Sequence, residues 1–136
     1  MLAELAANAI QRSGTALPKD SIDELWIYKA NAQGYPGAAG ATGFTSCSTN
    51  CVAYKWNPNA TNADGSTGGF RYYTGTWVSS TINACANNPP DAVGVYMKAT
   101  HTFFTGFFAK SIDLSDHAVF ALEPLPNDQC AAGKHA

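Results

Sequence analysis

The chain has 136 residues, a formal net charge of −2, and only 13% charged against 46% hydrophobic residues. That length suits one domain with one core, and three Trp, six Tyr and seven Phe supply the apolar area to build it, which excludes a disordered chain. The eight basic residues are scattered, so the clustered cations that grip phosphates are missing and a nucleic-acid partner is excluded.

In chain order, Leu2, Leu5, Ala6, Ala9 and Ile10 recur at helical spacing. They predict a short amphipathic helix over 2–12, ending at Ser13-Gly14. A helix so short needs packing against another element to persist. LWIYKA (25–30) is aromatic and β-branched and reads as a strand. Four glycines and a proline make 31–46 a loop. CVAYKWN (51–57) alternates, with Val52, Tyr54 and Trp56 on one face and Ala53 and Lys55 on the other. FRYYTGTWV (70–78) is the next strand, joined to it by a polar, Gly-rich hairpin connection. Residues 79–91 form a short helical or irregular link closed by Pro89-Pro90. AVGVYMKATHTFF (92–104) and IDLSDHAVFALEPL (112–125) are the last two strands, with Pro124 and Pro126 stopping the second. One helix followed by about five strands in meander order predicts an α+β domain spanning 1–136. In it the N-terminal helix covers one face of an antiparallel sheet.

Cys47, Cys51, Cys85 and Cys130 form an even set. Structural zinc wants paired knuckles with His or Cys partners, whereas Cys85 and Cys130 stand alone; disulfides are the preferred reading over zinc or free thiols. Four cysteines allow three connectivities, and the sequence does not choose between them. The preferred pairing is Cys47–Cys51 as a local clip, with Cys85–Cys130 tying the C-terminal tail to the sheet. Disulfides imply an oxidising, extracytoplasmic setting. Neither a span of 18 apolar residues nor a signal peptide is visible. The expectation is therefore that an export or anchor segment belongs upstream and that Met1 is an artificial start.

The segment VGVYMKATHTFFTGFFAKSIDLSDHAVFALEP (93–124) carries an alternating strand, a His before an aromatic cluster, a Gly turn and a strand ending in Glu-Pro. These features sit at Val93, Val95, His101, Phe103, Phe104, Gly106, Phe107, Phe108, Ile112, Leu114, Ala118, Glu123 and Pro124. The pattern resembles the closing hairpin of TadE-like proteins, pilin-like subunits of Flp/Tad pilus-assembly systems. Cys51, Tyr54, Trp56, Trp77 and Ala84-Cys85 look like its cysteine-bearing actinobacterial branch. The resemblance implies a pilin-like pseudopilin acting in pilus biogenesis or adhesion. Its implied partners are other pilus or pseudopilin subunits, and the membrane only through the missing N-terminal segment. The family's hydrophobic prepilin helix is absent from this sequence.

Catalytic chemistry finds no motif, and the reading is that of a non-enzyme without cofactor or metal. His101, His117 and Asp116 suit a polar cross-strand contact better than a metal site or triad. The loop from Asn57 to Gly69 has one carboxylate, Asp64, too few for a calcium loop of the EF-hand kind, and reads as a solvated hairpin tip. Asp113 and Glu123 lie too far apart along one strand to flank a glycosidic bond. Phe103, Phe104, Phe107 and Phe108 are the candidate partner contacts, because four rings around one Gly turn crowd beyond what a core absorbs. The competing class is a secreted carbohydrate- or small-ligand-binding module, which would display Trp26, Trp56 and Trp77 in line on one sheet face.

Overall fold

A computed structural model of the protein describes residues 22–85, 90–105 and 108–124, with the backbone alone at 79, 101–105, 108–110 and 112. Five strands fill most of this: β1 (Ile22–Ala30), β2 (Cys51–Thr61), β3 (Thr67–Thr76), β4 (Ala92–Thr105) and β5 (Phe108–Ala121). Each strand expected from the sequence is there. β1 begins at Ile22 rather than Leu25, and β2 runs on past Pro58 to Thr61.

The strands are antiparallel in the order β3-β2-β1-β4-β5, which corrects the expected meander. Three consecutive strands are followed by a fourth that returns to lie beside the first, the Greek-key order. β5 then adds to β4 as a hairpin. The return link holds a single 3-10 turn, Ser79–Thr81, among the described residues.

The α+β expectation, an N-terminal helix packed on the sheet, is overturned. The fold is β-rich, and the described residues contain no α-helix and none long and apolar enough to cross a membrane. The segment 2–12 on which the helix was expected lies outside the described residues. The physical reason is visible at β1. Its largest fully buried side chain, Tyr28, is covered by loop and sheet, where the expectation had a helix.

The described residues fall into two compact units. One takes 22–26, 53–73, 96–105 and 108–117; the other takes 27–52, 74–85, 90–95 and 118–124. In the first, Leu25 and Trp26 are both buried, as are Ala53 and Tyr54. Successive strand residues point to opposite faces, so β1 and β2 are covered on both sides there. This breaks the one-faced alternation expected for 51–57. Trp26 meets Tyr96 edge-on with ring centroids 5.2 Å apart, and Trp56 meets Phe70 at 5.5 Å. Both geometries suit the aromatic quadrupole. The β2–β3 hairpin tip is tied by its own side chains. Asp64 Oδ1 accepts from the Ser66 N–H and hydroxyl, and the Asn62 amide donates to the Gly68 carbonyl.

In the second unit Tyr28 is fully buried and organises its surroundings. Its hydroxyl donates to the Gly34 carbonyl at 2.8 Å, and its ring packs edge-on against Phe44, which also contacts Tyr35. The Gly-rich loop is thus the covering layer for this ring. Asn31 holds that loop: its amide donates to the carbonyls of Ala38 and Ala41, and its oxygen accepts from the N–H groups of Gln33 and Tyr35. Asp91, also buried, accepts from the Asn83 N–H at 2.8 Å and pairs with Lys29 at 2.9 Å. The Cys47–Cys51 disulfide is present, the clip preferred from the sequence. Asn50 turns the chain inside it in the left-handed region (φ 52°), which Asn tolerates better than most residues. Gly75 lies so close that a side chain there would meet the Cys51 carbonyl oxygen at 2.2 Å. Cys85 is disulfide-bonded too, while Cys130 lies outside the described residues.

Two predictions follow from the Tyr28 environment. A Cβ on Gly94 would lie 2.1 Å from Tyr28 Cζ, so Gly94→Ala is expected to cost about 3 kcal/mol or more in urea denaturation. Gly43→Ala, whose Cβ would make only an ordinary 3.8 Å contact, should stay within about 0.5 kcal/mol. Burial, and secondarily Tyr35, raise the Tyr28 pKa above its ordinary 10.0. The folded state therefore keeps its proton where the unfolded chain loses it. Stability from this group is complete below pH 10.0 and falls as pH rises from there through the folded-state pKa. Thermal melts of Tyr28→Phe should lack that alkaline loss; an identical slope in both proteins would refute the assignment.

Candidate functional site

In the first unit, Asp23, Glu24, Lys55, Trp56, Lys98, Thr100 and Asp113 line a shallow groove of about 390 Å³. Adjacency of β1, β4 and β5 brings Asp23, Thr100 and Asp113 together. The Thr100 hydroxyl lies 2.5 Å from its acceptor Asp23 Oδ2 and 3.2 Å from a second acceptor, Asp113 Oδ1. A hydroxyl has one proton, so the two carboxylates compete for it. Glu24 accepts from the Trp26 indole N–H at 2.6 Å. Lys55 lies over the Tyr73 ring, 3.7 Å from its centroid. Three carboxylates and two ammonium groups thus line an open, wet groove in which local partners already engage much of the polarity. No group of three or more His, Cys, Asp or Glu among the described residues is arranged to hold a metal.

The second feature is β5, the last strand in the sheet order. Asp113, Leu114, Ser115 and Asp116 are consecutive and all exposed, so this stretch is bare on both faces. Leu114 is 46% exposed. Met97 and Ala99 of β4 flank it, and with Ser115 and Asp116 they line an apolar-walled hollow of about 330 Å³. In the second unit the same strand exposes Val119 at 42% and Phe120 at 53%. At the other end of the strand order, β3 exposes Tyr72 and Tyr73.

The residues singled out from sequence are placed unevenly. Phe103, Phe104 and Phe108 lie on β4 and β5, with backbone alone described, and Phe107 lies outside the described residues. The side chain of His101 is likewise undescribed. Asp116 accepts from the His117 backbone N–H at 2.8 Å, a local contact. Asp113, weighed earlier against Glu123 on its own strand, instead meets Asp23 through Thr100. The tryptophans form no exposed row: Trp26 is buried, and Trp56 and Trp77 are half-buried. The Trp77 indole nitrogen is buried without a hydrogen-bond partner. Sequence reading missed Asp23, Glu24, Lys98 and Thr100, since only the β1–β4–β5 order joins them. It also passed over Val119 and Phe120 as partner contacts, although their consecutive apolar side chains on a terminal strand carried that signal.

Thr100→Val is expected to cost about 0.5–1 kcal/mol. In double-mutant cycles Thr100 should couple more strongly to Asp23 than to Asp113, following the shorter contact. Equal couplings would show the hydroxyl shared evenly. No protein-family model, no curated protein and no solved structure matches the chain.

Proposed function

We propose that this chain is an extracytoplasmic structural or assembly subunit that works by protein–protein contact, with no chemical step. The observation that carries the reading is β5, a terminal strand of 14 residues with Leu114, Val119 and Phe120 exposed. A long edge strand with apolar side chains in water is a template for pairing with another chain. The disulfides support an oxidising compartment. The TadE-like pattern of 93–124 supplies a setting, pilus biogenesis or adhesion with other pilus or pseudopilin subunits as partners.

A photocrosslinking amino acid at Leu114 or Phe120, introduced into the full-length protein in the cells that make it, should yield adducts with envelope-assembly subunits. The same group at exposed Asn59 should yield none. Both test positions are already exposed, so folding is spared. Absence of adducts at both would sink the reading.

A further inference from the structure

We infer that the partner seated on β5 is a second copy of this chain, added through its β3 edge, so that copies join head to tail into one continuing sheet. The inference rests on the association reading above and names its occupant. Three observations carry it. The two terminal strands of the sheet order are β3 and β5, and both expose large apolar side chains: Tyr72 and Tyr73 on one, Leu114 on the other, all within one compact unit. Cross-strand pairs of aromatic with aliphatic side chains stabilise such a junction.

Charge is the second observation. The only charged residue of β3 is Arg71, and Lys55 adds a cation over Tyr73, so the β3 edge is positive. β5 carries two carboxylates, Asp113 and Asp116, against one ammonium group, Lys110, and is net negative. A positive edge meeting a negative one is favourable. A symmetric pairing of β5 against β5 centred on the exposed Leu114 and Ser115 sets Asp113 opposite Asp116 of the other copy twice over, and like charges directly opposite are destabilising. Only a register shifted toward Lys110, away from Leu114, relieves this.

Direction is the third. In an alternating sheet the first and last of five strands run the same way, so β3 and β5 are parallel to each other. A copy added in the same orientation pairs its β3 alongside β5 as a parallel ladder and leaves its own β5 open. Contacts between two different surfaces that do not close generate an open filament.

Sedimentation velocity of the purified, disulfide-intact chain over a concentration series tests this, using Leu114→Asp to block β5 and Tyr73→Asp to block β3. Wild type should form species that grow with concentration. Each variant alone should associate at least about tenfold more weakly. An equimolar mixture should restore a species that stops at the dimer, because the intact β3 of one variant meets the intact β5 of the other. A Tyr73→Asp chain that dimerises alone shows symmetric β5 pairing and overturns the inference, as does a mixture that stays monomeric. Should Leu114→Asp lose its circular dichroism signal, Leu114→Thr, which keeps strand propensity, is read in its place with the same expectation. Wild type that stays monomeric throughout overturns self-assembly, and adducts at Phe120 in cells would then show that the association reading survives with a different partner.

Discussion

The structure depends on the close approach of Tyr28 to Gly94. A fully buried phenol on β1 occupies the space that any side chain at position 94 of β4 would need. A packed interior tolerates no overlap of that size. This contact belongs to β1 beside β4, and therefore to the Greek-key return rather than to a meander. In the same unit Asp91, just ahead of β4, pairs with Lys29 of β1 and takes the Asn83 N–H from the return link. A buried carboxylate is tolerable only when so satisfied, and removing its partners would cost several kcal/mol. Ring, glycine and ion pair thus act on one junction.

Placing β1 in the centre decides what is left at the margins. β1 and β2 are covered on both faces in the first unit, which uses up Leu25, Trp26, Ala53 and Tyr54. β3 and β5 end the sheet order, and several of their large apolar side chains are exposed. The chain has enough hydrophobic residues to fill a core and still carry Tyr72, Tyr73, Leu114, Val119 and Phe120 in water.

The strands were legible because alternation and aromatic or β-branched content are local signals, and the turns because Gly and Asn-rich stretches punctuate them. Hairpin neighbours were legible for the same reason. The order of the sheet was not. A meander and a Greek key share local chemistry, and they differ only in whether β4 lies beside β3 or β1. The clue was Gly94, a glycine inside a strand, which marks close approach but does not name what approaches. The groove was hidden for a related cause: Asp23, Thr100 and Asp113 are 77 and 13 residues apart in sequence and meet only through that order. The helix expectation failed differently, because Tyr28 acquires its cover from Phe44 in a loop whose glycines advertised only turns.

A bare edge strand is a hazard as well as an opportunity, since any extended chain can pair with it. β5 is not left unguarded. Asp113 and Asp116 interrupt its apolar residues in the first unit and repel a second β5, while Pro124 follows its end. On β3, Arg71 is held by the carbonyls of Phe70 and Thr61 and by Asn62, which fixes a cation at the β2–β3 hairpin. Indiscriminate aggregation is resisted by net charge of opposite sign on the two margins, Arg71 on β3 and two carboxylates against Lys110 on β5, and that same distribution makes them complementary. A strand retained in this state, apolar enough to pair and charged enough to choose, is better explained by selective association than by a fold that has failed to cover itself.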